Sequence, residues 1–242
     1  MVVDSLRRPY PVSLPMVAFV LLVPFYIFIG ESAPDRTPLH VPAIALDGAI
    51  PLQPVWALVY GALYLFLILL PFFVVRQPEQ IRRTLLAYLM VWLTAYVCFL
   101  AYPTVASRPA SVIAPGFIGW GLRFLYSSDP PYNCFPSLHV AHSFLSALTC
   151  YRVHRGIGIA ATLCAALVAV STLYTKQHYV LDVLAGILLA CVAYVAFLRD
   201  YARENVPALD RRLAPLLAVS VIAVVGIAGG CMWIAYRVSA NA

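Results

Sequence analysis

The stretch 171-STLYTKQHYVLDVLAG-186 sets Lys176, His178 and Asp182 between two apolar runs, residues 156–174 and 179–198. Crossing a hydrocarbon core takes about 20 predominantly apolar residues in a helix, and both runs have that length. Five more apolar runs, at 13–30, 54–75, 85–102, 137–151 and 213–236, bring the expected spans to seven. Backbone polar groups in lipid have to be satisfied within their own segment. The expected fold is therefore all-α, a polytopic membrane helix bundle. The short run at 137–151 is expected either to gain a turn or to lie tilted against its neighbours.

Composition points the same way. The chain is 63% hydrophobic and 11% charged, against roughly 25% charged residues in an average soluble domain. No internal repeat or low-complexity tract divides the 242 residues, so one integral-membrane domain over 1–242 is expected. Arg7 and Arg8 ahead of the first run are compatible with a signal peptide. The absence of a small-x-small cleavage site near 31–34 and the uncharged length of 9–30 favour a retained helix. Cys98, Cys150, Cys164, Cys191 and Cys231 fall inside spans and Cys134 in a loop. No disulfide framework and no CxxC motif follow.

The formal charge of +6 is read by position, as membrane orientation and not as nucleic-acid binding. If seven spans alternate, Arg7, Arg8, Arg76, Arg82, Arg83, Arg152, Arg155, Arg199, Arg203, Arg211 and Arg212 share one side, eleven of the sixteen cations. Arg36, Arg108, Arg123, Lys176 and Arg237 fall opposite. The positive-inside rule then puts the amino terminus in the cytoplasm and the second group outside. Arg108, His139, Lys176, His178 and Asp182 are thereby expected at one level of the outer face. Ionisable groups at the margin of a membrane helix are costly and mark pairing or function.

His178 and Asp182, four apart, are expected on one helix face about a turn from each other. The carboxylate can fix the imidazole tautomer and leave the other ring nitrogen basic and aimed. A purely structural His–Asp pair fits these two residues equally well. His139 lies in 133-NCFPSLHVAH-142, where Pro136 suits a first helical turn and Asn133 or Ser137 is the expected cap. A helix opening at Ser137 and Leu138 directs free N–H groups and its positive dipole end outward, a site suited to phosphate. Arg108 and Lys176 would add cationic donors. The expected chemistry is attack on phosphorus by His178, support of its imidazolium by Asp182, and proton transfer by His139.

These residues resemble the type 2 phosphatidic acid phosphatase superfamily of membrane lipid phosphatases and phosphotransferases. Arg108-Pro109 matches the end of its first motif, and Pro136-Ser137-Leu138-His139 its Pro-Ser-Gly-His motif. Ser171-Thr172, His178 and Asp182 match its third motif in spacing. The resemblance covers about residues 85–186. It implies a six-helix core, here with one extra transmembrane helix, His178 as nucleophile, His139 as acid and base, a lipid phosphate substrate among membrane lipids, and no metal or cofactor. Three positions depart: the first-motif lysine falls at Ala101, the second-motif glycine at Leu138 and the third-motif arginine at Thr172. Lys176 and Arg123 are the candidate replacement cations.

The stretches YPT, FPSLH and HYVLD look more like the branch that includes inositol phosphorylceramide synthases, which makes head-group transfer a rival to hydrolysis. Hydrolysis is favoured because water is always available as acceptor. An anion transporter is the rival from another class, but its broken spans in matching halves are not seen in the sequence. His142 is expected to pack or hydrogen-bond inside the bundle and not to bind metal. His40 and His154 are expected in solvent-facing loops. The stretch 117-FIGWGLRFLYSSD-129 is expected along the outer interface.

Overall fold

The computed structural model describes residues 14–35 and 38–240; Arg7, Arg8 and Arg36 lie outside the described residues. The expected all-α bundle is what forms. The helices are α1 (Leu14–Glu31), α2 (Ala45–Ala49), α3 (Trp56–Val74), α4 (Pro78–Ala101), α5 (Gly116–Ser128), α6 (Leu138–Val153), α7 (Arg155–Tyr174), α8 (Val180–Phe197) and α9 (Ala208–Ala240). Among the described residues the only extended pairings are two isolated bridges, His40 with Thr104 and Val105 with Tyr132.

Helix α6 is the hub, packed by α3, α4, α7, α8 and α9. One apolar cluster joins it to α3, α7 and α9 through Leu67, Leu70, Ala147, Ala165 and Leu217. Another joins it to α1, α4 and α8 through Ile29, Trp92, Phe99, Leu145 and Ala190. In lipid the tails are as apolar as leucine, so helices are held by close packing of small residues and by interhelical hydrogen bonds. Both occur here. Ala161, Ala165 and Ala169 of α7 and Ala190 and Ala193 of α8 are buried. Ser146 Oγ on α6 donates to the Leu67 carbonyl of α3 at 2.6 Å.

Five helices, α3, α4, α7, α8 and α9, are long and apolar enough to cross a membrane. Of the seven expected spans, those at α1 and α6 do not meet this measure among the described residues. Helix α6 has only 16 residues and carries His139, His142, Ser143, Ser146 and Thr149. Its position explains how it tolerates them: protein surrounds it, so its polar groups meet partners in place of lipid. Helix α1 packs along α4 as part of the bundle.

The helix ends follow from local chemistry. Pro78 sits in the first turn of α4, where its missing N–H is no loss. His154 ends α6 and its Nδ1 accepts from Ile157 N–H at 3.3 Å, capping α7. It therefore has a structural partner that its expected solvent-facing role did not supply. His40 likewise stacks on Tyr102, with ring centroids 4.1 Å apart. The stretch expected at the interface forms α5, tied to α9 by Phe117 and Trp120 against Trp233 and Tyr236.

Among the described residues, most of the arginines gather at the end of the bundle away from His139. Arg152 donates to the Arg199 carbonyl, Arg83 to that of Phe197 and Arg211 to that of Arg203. Gln77 bonds Asp210 at the same end.

Candidate active site

The turn between α7 and α8 is built by a hydrogen-bond pattern that the sequence does not advertise. Lys176 takes a left-handed φ of 55°. Its N–H bonds the Leu173 carbonyl at 3.2 Å, while Gln177 N–H reaches back to Thr172 at 2.9 Å. These two bonds are those of a Schellman ending, with lysine where glycine is usual. Thr172 stands where the resembled motif has arginine, and its carbonyl also receives His178 N–H at 3.3 Å. Thr175 Oγ1 adds a bond to the Ser171 carbonyl at 2.7 Å, and the reversal delivers His178 just ahead of α8.

Helix α8 starts at Val180, so His178 precedes the helix instead of sharing a helical face with Asp182. Their pairing survives because Asp182 turns back. Its Oδ2 accepts from Tyr179 N–H at 2.8 Å and lies 3.4 Å from His178 Nδ1. A carboxylate in the first turn also suits the helix dipole. Asp47 of α2 adds a second cap, accepting Val180 N–H at 2.9 Å.

Helix α6 begins beside this turn. Ser137 is its cap, with Oγ accepting Val140 N–H at 3.3 Å, and Pro136 precedes that cap, outside the helix and not in its first turn as expected. Asn133, the other expected cap, instead donates from Nδ2 to the Tyr26 carbonyl at 3.1 Å. Ser137 N–H bonds the Asp182 carbonyl at 3.0 Å, joining the two histidine-bearing stretches directly. Gly186 makes the approach possible: a Cβ there would stand 2.6 Å from the Ser137 carbonyl oxygen. The N–H groups of Leu138 and His139 are the first-turn donors with no acceptor among the described residues.

As a result His139 Nδ1 lies 3.1 Å from His178 Nε2. On its far side, His139 Nε2 is 3.9 Å from Asp129 Oδ2. Tyr60 and Tyr64 of α3 flank the His139 ring edge-on, with centroids 5.4 and 4.9 Å away. Asp182, His178, His139 and Asp129 thus form one row of four ionisable groups. His178 and Asp182 are buried.

Arg108 reaches this row from the loop after α4. Its guanidinium donates to the Asp129 carbonyl at 2.6 Å, more weakly to Pro130 at 3.4 Å, and to Gln177 Oε1. It also lies 4.7 Å from the centre of the Tyr126 ring. Burial lowers the Arg108 pKa, and the Asp129 carboxylate acts against that lowering. The same loop carries Ser107, whose N–H and Oγ both contact Tyr179 Oη, at 2.8 and 3.0 Å. Burial raises the Cys134 thiol, which keeps it neutral and inert.

Lys176 and His178 border one small cavity of about 10 Å³, with Asp47, Ile50, Ser107 and Tyr179. That is room for about one water molecule. Lys176 Nζ is engaged there by the carbonyls of Asp47 at 3.2 Å and Ile50 at 2.5 Å. Arg123 is not brought to this group; it donates to the carbonyls of Val112 and Ala114 at 3.5 and 3.2 Å. Ala101, where the first-motif lysine falls, lies in the last turn of α4 and is exposed.

His142 is paired inside the bundle, as expected. Trp92 Nε1 donates to its Nε2 and Tyr64 Oη lies 3.4 Å from its Nδ1. These three residues close one end of an apolar cavity of about 240 Å³, which runs between α3 and α4 past Ile68, Phe72 and Leu85. Tyr64 touches both histidines of α6, so the cavity ends next to the row.

Four members of the site escaped the sequence reading: Asp129, Gln177, Tyr60 and Tyr64. Only Asp129 carried a signal. It is one of ten acidic residues in the chain and lies four positions before Asn133, where the second motif stretch opens.

Residues 39–196 match the PAP2 superfamily. Over 94 residues, 38% of this chain, the sequence is 34% identical to a PA-phosphatase related-family protein of Dictyostelium discoideum. The matched part is 17% of that relative's length. No solved structure matches the chain.

Proposed function

Because the chain belongs to the PAP2 superfamily, we propose that it is a membrane phosphatase releasing phosphate from a lipid phosphate or pyrophosphate through a phosphohistidine. The observation that carries this reading is the facing pair, His139 Nδ1 against His178 Nε2 at 3.1 Å. A phosphoryl group inserted between the rings has a nucleophile on one side and a proton donor on the other, the in-line arrangement displacement requires.

The first step forms a bond from His178 Nε2 to phosphorus and breaks the bond to the leaving oxygen, which takes a proton from His139. Asp182 stabilises the charge that develops on His178. In the second step His139 takes a proton from water, the water oxygen bonds phosphorus, and His178 departs. Arg108 and the N–H groups of Leu138 and His139, capped through Ser137, neutralise the equatorial oxygens. Lys176 supplies the second cation, since it borders the His178 cavity; Arg123, held by its own loop, stabilises α5. No step in this scheme draws on a metal or cofactor.

The lipid's hydrocarbon lies in the apolar cavity between α3 and α4. The amino terminus is cytoplasmic and the site opens to the outer face, in keeping with the arginine-rich opposite end. Transfer of the phosphoryl group to a second lipid differs only in the acceptor of the second step.

The test incubates purified protein in detergent with a panel of lipid phosphates, with and without alcohol acceptors, and measures free phosphate against new phospholipid. Phosphate release that vanishes in His178→Ala is the expected result, and it excludes transport because detergent leaves no compartment. New phospholipid in place of free phosphate would assign the transferase reaction. Turnover untouched by His178→Ala would remove the phosphohistidine.

A further inference from the structure

His178 has a carboxylate behind it, and so does His139. We propose that Asp129 is the positioning residue for the acid–base histidine, holding the His139 ring and stabilising its protonated form. Its role presupposes the phosphohistidine chemistry proposed above.

The argument begins with tautomers. Asp182 faces His178 Nδ1, which places the proton of a neutral His178 on Nδ1 and leaves Nε2 as an acceptor. The hydrogen bond to His139 Nδ1 at 3.1 Å then requires that His139 donate from Nδ1. A neutral His139 consequently presents a bare Nε2 lone pair to Asp129 Oδ2, 3.9 Å away. Lone pair against carboxylate is unfavourable. A second proton on Nε2 turns the contact into an attractive imidazolium–carboxylate pair. The charged form still holds a proton on Nδ1, the atom that faces the leaving oxygen once phosphate separates the rings.

Asp129 is itself fixed. Tyr26 Oη donates to its Oδ1 at 3.0 Å, and Arg108 holds its carbonyl at 2.6 Å. Tyr26 belongs to α1, whose Gly30 lets the Asn133 side chain come close. Helix α1 therefore reaches the chemistry through Tyr26 and Asp129. The other groups facing His139 are His178, the rings of Tyr60 and Tyr64, and the Arg108 guanidinium near Asp129. None of the others offers a carboxylate.

A general acid matters in proportion to how poor the leaving group is. The test compares purified wild type, Asp129→Asn and Tyr26→Phe on two soluble phosphates: an alkyl monoester, whose alkoxide needs a proton, and a nitrophenyl monoester, whose phenolate departs without one. Asp129→Asn is expected to lower kcat/KM, which reports the phosphorylation step and not the later attack by water, on the alkyl ester by ~10²-fold or more, the scale of general-acid catalysis, while kcat/KM on the aryl ester falls less than about threefold on the same scale. Tyr26→Phe, which keeps the carboxylate, is expected to show the same selectivity with a smaller loss. Equal losses on both esters in either variant, or no loss in Asp129→Asn, would overturn the assignment alone. A wild type that releases phosphate from neither ester overturns the phosphatase reading and this assignment with it.

Discussion

His139 Nδ1 and His178 Nε2 stand 3.1 Å apart, so each imidazole occupies the position a phosphoryl group needs in order to reach the other. In the proposed reaction, substrate binding parts them. That separation replaces one ring–ring contact with two contacts to the phosphoryl group, while Asp182 and Asp129 face the outer edges of the two rings.

Parting the rings divides their roles, and kinetics can read the division. His178→Ala removes the proposed nucleophile and is expected to leave no measurable turnover of any ester. His139→Ala leaves the proposed nucleophile in place but removes the proposed base for water. With a nitrophenyl ester it is expected to accumulate an acid-labile phosphorylated protein, seen by mass spectrometry after a burst of one equivalent of nitrophenolate. Steady turnover without a labelled protein would argue against this order of events.

Arg108 is a fork held at several points, touching the carbonyls of Asp129 and Pro130 and the Gln177 side chain. Lysine offers a point charge without that planar geometry. Both Arg108→Ala and Arg108→Lys are therefore expected to lower kcat/KM by about 10–100-fold, the range for losing a charged hydrogen bond. Lys176→Met should cost about as much, whereas Arg123→Ala, away from the row, should cost less than about threefold. Recovery of full activity in Arg108→Lys would show that charge alone suffices.

Gly186 has no room for a methyl group, because the Ser137 carbonyl would stand 2.6 Å from it. Gly186→Ala is expected to push α6 away from α8, at about 1–3 kcal/mol for overpacking. Because Ser137 N–H bonds Asp182 across this contact, activity should fall together with Tm in thermal unfolding in detergent. An unchanged Tm would mean that the helices yield more easily than their packing implies.

His142 and Trp92 are paired away from the row, so their loss should separate stability from chemistry. Trp92→Phe leaves His142 Nε2 without its donor, at about 1–3 kcal/mol for an unsatisfied buried polar group. Lower Tm with kcat within about threefold on a short-chain ester is the expected outcome. A loss of kcat as large as that of His139→Ala would instead draw His142 into the reaction.

What the residues alone determined is what depends on short-range pattern. Apolar runs with a span's length have one stable solution in lipid, and that made the bundle legible. The spacings within 133–142 and 171–186 singled out His139, His178 and Asp182 as candidates, because each motif is set by a helix end beside it, and the structure brings the three together. The tertiary structure decided the partners of those residues. Asp129, Tyr26, Tyr60 and Tyr64 reach the site from other segments, and no local period records which loop lies over which helix. It also decided that a 16-residue helix rich in polar groups could be the centre of the bundle: burial among five neighbours replaced the lipid that its composition would not have tolerated.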